Sequence, residues 1–220
     1  MQFQNVLFDL DGTLTDPKMG ITQGVQYALS RFDIVENNLD TLEPFIGPPL
    51  SFSFAEFYGF SELDCMKAIG YYREYYGDQG MFENVVYPGI PELLQMLVNQ
   101  QRTLFVATSK PTEYAEKIIQ HFGLDRYFQQ VYGSNLDDTG SDKSEIISNV
   151  IHKSSLEKTN VMMIGDRKYD IIGANNNGVV SIAVEYGYGS REELLDCKPT
   201  YIVETVEKLK GLFSEEGKGK

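Results

Sequence analysis

Short apolar runs alternate along the second half of the chain with longer segments whose apolar residues recur at helical spacing. The short runs, which have the length of buried strands, cover residues 3–8, 103–107, 128–132, 160–164, 179–184 and 200–203. The helical segments cover 91–98, 112–122, 143–152 and 170–177, and a last helix follows the final strand. Strands that alternate with helices indicate parallel pairing. The pattern therefore predicts an α/β fold built on a doubly wound parallel sheet.

Residues 16–87 show a different pattern, with helical periodicity and little strand character. Two apolar series repeat at helical spacing there: Ile21, Val25, Ala28, Leu29 and Phe32, and then Leu63, Met66, Ile69 and Tyr72. A turn at Phe45–Leu50, rich in Gly and Pro, separates them. We expect an inserted helical domain over 16–87, a core domain formed by 1–15 and 88–214, and a disordered tail over 215–220.

The composition of the chain limits which kinds of binding partner and which cellular compartment we expect. The 220 residues carry a formal charge of −13, which argues against a nucleic-acid partner and against binding to an anionic membrane surface. The longest apolar runs are too short to span a bilayer, and no secretory signal is visible at the N-terminus. Cys65 and Cys197 are far apart in the sequence. A structural disulfide is therefore not expected, and a cytoplasmic location fits best.

Polar residues stand where the predicted strands end. Asp9 and Asp11 follow the first strand, Thr108-Ser109-Lys110 follow the second, and Gly165-Asp166 follow the strand at 160–164, with Asp170 four residues further on. Lys143 begins the helix before that strand. The carboxyl ends of parallel strands face one crevice, where α/β sheets bind ligands. Four carboxylates with hydroxyls and a lysine have the composition of a Mg²⁺ and phosphate site.

Each motif taken alone also has a structural explanation. Asp9-Leu10-Asp11-Gly12-Thr13 could cap a strand-to-turn transition, a Gly-Asp after a strand is commonly a turn, and a lysine at a helix start is commonly solvated. The order and spacing of all four motifs together favour a catalytic site over these explanations.

The four motifs resemble those of the haloacid dehalogenase superfamily, in which most members are Mg²⁺-dependent phosphatases. The matching segments are Asp9–Thr13, Thr108-Ser109, Lys143 and Gly165–Asp170. The likeness covers almost the whole chain and implies a Rossmann-like core with an inserted α-helical cap. Among subfamilies the chain is most similar to phosphoglycolate phosphatase-like and 5′-nucleotidase-like proteins, which have a turn similar to Ile46-Gly47-Pro48-Pro49.

The resemblance implies a chemical role for each motif. Asp9 is expected to be the nucleophile that forms an aspartyl-phosphate, and Asp11 the general acid and base. The Asp9 carboxylate, the Asp11 backbone carbonyl and Asp166 are the expected protein ligands of Mg²⁺. Asp170 is expected to support the metal through water or to orient Lys143.

The remaining expected roles concern the substrate. Thr108 and the Ser109 backbone are expected to hold the phosphoryl group, and Lys143 to balance its charge. In the cap, Gly47 and Arg73 are the candidates for substrate binding, since an Arg side chain can hold a carboxylate or phosphate bidentately. The substrate would be a small phosphorylated metabolite, with phosphoglycolate, a nucleoside monophosphate and a sugar phosphate all open. Whether the protein is a monomer or a homodimer is also open.

Other functions share part of this site. A mutase resembling β-phosphoglucomutase has the same core motifs, although the turn at Gly47 does not resemble its cap loop. Inorganic pyrophosphatase activity also stays open. A dehalogenase would need neither Mg²⁺ nor Asp11. A non-catalytic binding protein with this fold is disfavoured, because we would expect it to have lost Asp9, Asp11 or Lys143.

Overall fold

The computed structural model describes residues 3–137 and 139–214. The tail predicted over 215–220 lies outside the described residues. Strands β1 to β8 are Asn5–Phe8, Thr15–Asp16, Val85–Val86, Thr103–Pro111, Phe128–Ser134, Val161–Gly165, Val180–Val184 and Tyr201–Val203. Helices α1 to α9 are Lys18–Ser30, Leu50–Tyr58, Glu62–Asp78, Ile90–Asn99, Thr112–His121, Lys143–Lys153, Lys168–Asn177, Arg191–Asp196 and Val206–Ser214. Short 3₁₀ helices cover Leu39–Phe45, Gly80–Phe82, Asp125–Tyr127 and Lys158–Asn160.

The chain divides into two compact units. One comprises Met1–Thr15 and Val86–Lys220, and the other Asp16–Val85. The divisions fall within β2 and β3, which pair as a two-stranded sheet. The sequence-based domain limits at 15/16 and 87/88, and the role of the inserted unit as a cap, stay predictions. Among the described residues, no helix combines the length and apolar character that crossing a membrane requires.

The larger unit contains a six-stranded sheet in the order β5-β4-β1-β6-β7-β8. Neighbouring strands of this sheet pair in parallel. This confirms the predicted α/β fold with a doubly wound parallel sheet. The strand order runs outward in both directions from β1, so its neighbours are β4 and β6. Val6, Leu7 and Phe8 are fully buried, as a central strand covered on both faces requires. The strand order reverses at β1, which is where open α/β sheets bind ligands.

Strand β4 is longer than the sequence pattern indicates. The apolar run ends at Ala107, but the strand continues to Pro111, with a register shift against β5 between Ala107 and Pro111. Thr108, Ser109 and Lys110 therefore lie within the irregular end of the strand and not after it. Apolar periodicity did not detect this part, because its side chains are polar while its backbone still runs along the sheet.

The inserted unit is helical, as the sequence predicts, but one helical face differs from the prediction. Leu63 and Met66 are 62% and 66% exposed. The buried side chains of α3 are Cys65, Ala68, Ile69, Tyr72 and Tyr76. The buried stripe shares Ile69 and Tyr72 with the predicted series but contains aromatic and small residues in place of Leu63 and Met66. Apolar character alone therefore misplaced the start of this face.

Candidate active site

Asp9 follows the last residue of the central strand, and hydrogen bonds fix its position. Its backbone N–H donates to the carbonyl of Ile164 in β6 at 2.9 Å. One carboxylate oxygen, Oδ1, accepts a hydrogen bond from Leu10 N–H at 2.7 Å. Asp9 is 8% exposed. The strand end thus holds a nearly buried carboxylate in one orientation beside the end of β6.

Lys143, the first residue of α6, joins Asp9 to Asp170. Its Nζ lies 2.9 Å from Asp9 Oδ1 and 2.8 Å from Asp170 Oδ1, and it donates to the carbonyl of Ala107 in β4 at 3.0 Å. Burial alone would lower the pKa of Lys143, but the Asp170 and Asp9 carboxylates outweigh this effect and raise it above its ordinary value. The two ion pairs therefore favour the charged form of Lys143, and the sheet and α6 together fix its position.

Asp9, Asp166 and Asp170 form a buried acidic cluster, in which one carboxylate oxygen from each residue lies within 4.8 Å of the others. Burial raises the pKa of Asp166, and the negative charges of Asp170 and Asp9 raise it further. Burial likewise raises the pKa of Asp170, against the opposing effect of Lys143. These shifts express the cost of placing several negative charges together in a buried site.

The acidic cluster fits a hard divalent cation such as Mg²⁺. Its donors are all oxygens, which is the ligand type that Mg²⁺ takes. Asp166 and Asp170 are fully buried, and Lys143 is the cation paired with the cluster in the described part of the chain. A bound cation would offset the remaining negative charge. The sequence predicts Asp9 and Asp166 as metal ligands and Asp170 as a support for the metal or for Lys143, and the fold brings all three carboxylates together. Their roles toward a metal stay predictions.

The loop after β7 holds Asp166 through a hydrogen bond that the sequence pattern did not predict. Tyr188 N–H donates to Asp166 Oδ2 at 2.9 Å, and the Thr13 hydroxyl donates to Oδ1 at 3.0 Å. A Cβ atom at Gly187 would lie 2.3 Å from Asp166 Cβ. The available signal was Tyr186-Gly187-Tyr188-Gly189, which begins two residues after the last residue of a buried strand. Closely spaced glycines at a strand end indicate close backbone approach.

We expect Gly187→Ala to weaken Mg²⁺ binding by about 10–100-fold, the usual effect of disturbing a residue that orients a ligand. The added methyl group would lie 2.3 Å from Asp166 Cβ and 2.4 Å from the Gly12 carbonyl oxygen, so Asp166 must move. Calorimetric titration with Mg²⁺ measures the effect. The matched control is Gly211→Ala on α9, where a Cβ would meet nothing within 4 Å. Equal Mg²⁺ affinity in the two variants would contradict this assignment of the loop.

Asp11 lies apart from the acidic cluster and pairs with a different cation. Its Oδ2 is 2.7 Å from Lys110 Nζ. Burial raises the pKa of Asp11, and Lys110 opposes that shift. The sequence names the Asp11 backbone carbonyl, not its side chain, as a metal contact, and that contact stays a prediction. The Asp11 and Asp9 carboxyl groups thus pair with different lysines, although the negative charge of Asp9 still contributes to raising the pKa of Asp11.

The hydroxyl groups of Thr108 and Ser109, at the end of β4, both form hydrogen bonds but with different partners. Thr108 is 2% exposed, and its Oγ1 accepts a hydrogen bond from Lys110 N–H at 3.3 Å. The Ser109 hydroxyl donates to the Ser141 carbonyl at 2.9 Å. The binding of phosphate by the Ser109 backbone stays a prediction. Gly47, with φ of +105°, and Arg73 belong to the inserted unit, and their substrate-binding roles stay predictions.

Comparisons with known proteins agree with this arrangement. The family described as haloacid dehalogenase-like hydrolase matches residues 6–184. A 5′-nucleotidase of Pseudomonas aeruginosa is 49% identical over 201 residues, covering 91% of this chain and 91% of that protein. A phosphoglycolate phosphatase of Vibrio parahaemolyticus is 26% identical over 215 residues, covering 93% of each. The crystal structure of a predicted phosphatase from Clostridium acetobutylicum superposes with a TM-score of 0.94 at 46% identity, covering 98% of this chain and all of that one.

Proposed function

The chain belongs to the haloacid dehalogenase-like hydrolase family, and from this premise we propose that it is a Mg²⁺-dependent phosphatase that forms an aspartyl-phosphate on Asp9. Its class, a phosphatase acting on phosphomonoesters, follows from its relatives. The observation that carries the finer proposal is the position of Lys143. Its ammonium group lies within 3 Å of both Asp9 and Asp170, beside the buried Asp166.

Asp9 is the nucleophile in this proposal. Leu10 N–H and Lys143 both contact Oδ1, and among the described residues Oδ2 has no hydrogen-bond partner. Oδ2 attacks the phosphorus atom, a P–O bond to Asp9 forms, and the P–O bond to the leaving group breaks. A water molecule then displaces Asp9 and inorganic phosphate is released. Splitting the hydrolysis into two steps is the established advantage of a covalent nucleophile.

Asp11 carries the proton in both steps. Its carboxyl group donates a proton to the departing oxygen in the first step and takes one from the attacking water in the second, so it returns to its starting form. Lys143 and the Thr108 hydroxyl hold the phosphoryl oxygens together with the Ser109 backbone. Mg²⁺, when bound to Asp9, Asp166 and the Asp11 carbonyl, would neutralise charge between the carboxylates and the phosphoryl group.

The substrate class is a small phosphomonoester. The 49% identity to a 5′-nucleotidase favours a nucleoside monophosphate, and the more distant phosphoglycolate phosphatase keeps a small phosphorylated acid open. Arg73 and Gly47 are the proposed contacts to the part of the substrate that leaves. A cytoplasmic location, and a monomeric or homodimeric state, stay predictions of the sequence.

Phosphate release from a panel of compounds tests the proposal. The panel contains nucleoside 5′-monophosphates, phosphoglycolate, hexose phosphates and pyrophosphate, each with Mg²⁺ and with EDTA. We expect release from the monoesters with Mg²⁺ and a return to background with EDTA, since the carboxylates would then repel the phosphoryl group. Release from pyrophosphate alone would favour the pyrophosphatase alternative. Isomerisation of a hexose phosphate without phosphate release would favour a mutase.

A further inference from the structure

Lys110 has no assigned task in the proposed chemistry, yet its side chain contacts the proposed proton carrier. Lys110 Nζ lies 2.7 Å from Asp11 Oδ2, and the two side chains are only 6% and 13% exposed. A lysine side chain is rarely buried to this degree without a paired charge. This ion pair therefore belongs to the interior of the site, unlike the exposed pair between Lys117 and Glu113.

The backbone of Lys110 is held from two sides. Its N–H donates to Thr108 Oγ1 at 3.3 Å. Its carbonyl oxygen lies so close to Gly133 in β5 that a Cβ atom there would approach it to 2.4 Å. The register shift between β4 and β5 falls in this segment, between Ala107 and Pro111. The lysine side chain therefore extends from a backbone that the sheet itself positions.

The two carboxylate oxygens of Asp11 have different surroundings: Oδ2 contacts Lys110, whereas Oδ1 does not have such a partner in the part of the chain that the structure describes. Asp11 Oδ1 is buried and has no hydrogen-bond partner among the described residues. Buried polar atoms in folded proteins are nearly always hydrogen-bonded, and the exceptions commonly belong to ligand or catalytic sites. One oxygen of this carboxyl group is thus held by Lys110, and the other lacks the partner that a bound substrate could supply.

We propose that Lys110 is a positioning residue that holds Asp11 by Oδ2, so that Oδ1 carries the proton to and from the reacting oxygen. This inference rests on the proposed function and adds a residue to it. A carboxyl group that can rotate spends part of its time in unproductive geometry, and misplacement by about 1 Å costs up to about 10²-fold in rate. The lysine restricts that rotation without touching the phosphoryl group.

The dependence of the rate on the leaving group tests this role. An alkyl phosphate needs a proton on its departing oxygen, whereas 4-nitrophenyl phosphate departs as a stable anion and needs it much less. The quantity compared is kcat/KM, because it covers the steps up to departure of the leaving group. We expect Lys110→Met to lower kcat/KM by about 10–100-fold for the alkyl ester and by less than about threefold for the aryl ester.

Two further variants complete the experiment. Lys110→Gln, whose amide can still donate to Oδ2, is expected to recover part of the loss on the alkyl ester, and it carries the test if Lys110→Met does not fold. Lys117→Met is the matched control and is expected to leave both substrates unaffected. An equal loss on both esters, or no loss, overturns the inference while the phosphatase assignment stands. If the wild type releases phosphate from neither ester nor any compound of the panel, the proposed function fails and this inference fails with it.

Discussion

Replacing Asp9 by asparagine is expected to lower phosphate release by at least about 10⁴-fold, the order of loss seen when a covalent nucleophile is removed. The amide keeps an oxygen that can accept the hydrogen bond from Leu10 N–H, now 2.7 Å long. Its nitrogen, however, cannot form the bond to phosphorus that the first step requires. The change therefore removes the reacting atom with little change in shape. Steady-state phosphate release at saturating Mg²⁺ measures the effect.

The matched control for this variant is Asp125→Asn. Asp125 is exposed, at the start of a 3₁₀ helix, so its replacement makes the same chemical change away from the site. We expect this control to retain wild-type activity, and both variants to remain folded, since Lys143 keeps its ion pair with Asp170 in the Asp9 variant. Acid-quenched wild-type protein should contain phosphate bound to the peptide that includes Asp9, and Asp9→Asn should not. An Asp9→Asn protein with more than a tenth of the activity would rule out the covalent mechanism.

Replacing Lys143 by methionine is expected to lower the free energy of unfolding by about 3–5 kcal/mol, the usual cost of removing one partner of a buried ion pair. The ammonium group lies 2.9 Å from Asp9 and 2.8 Å from Asp170, and all three side chains are buried. Methionine fills a similar volume but leaves these carboxylates without their cation. Activity should fall to background as well, because the charge that faces the phosphoryl group is gone.

Urea denaturation in metal-free buffer separates these two effects of Lys143→Met. Lys153→Met is the control, since Lys153 is exposed near the end of the same helix. We expect that control to change stability by less than about 0.5 kcal/mol, as surface substitutions usually do. If Lys143→Met unfolds at the same urea concentration as the wild type, the lysine does not stabilise the carboxylates in the way that the distances indicate.

Much of the fold could be predicted because short stretches of sequence determine where its buried strands lie. Fully buried strands appear as continuous apolar runs, and β1 and β6 are such runs. The residues that follow them, Asp9 and Asp166, could be placed at one sheet edge because parallel strands end on the same side. These predictions required only that the strands pair in parallel. The family comparisons and the sheet order agree with them.

The features of the fold and of the candidate site that could not be predicted depend on contacts between segments that are distant in the sequence. The contact of Lys110 with Asp11 joins the extended end of β4 to a residue that follows β1, and no local sequence pattern reveals such a contact. The hydrogen bond from Tyr188 to Asp166 joins segments that follow two different strands of the sheet. In α3, the exposed Leu63 shows that apolar character does not by itself select the buried face. Tertiary packing decides all of these positions.

The central place of β1 also has a consequence for biosynthesis. Asn5 in this strand pairs with Thr103 on one side and Val161 on the other. A ribosome that adds about 5–20 residues per second must synthesise the whole of Asp16–Val85 before either partner strand exists. A nascent chain that has not yet reached Gly165 therefore contains Asp9 but not the complete strand β6. Asp9 therefore reaches its native environment only after the residues up to Gly165 have been synthesised.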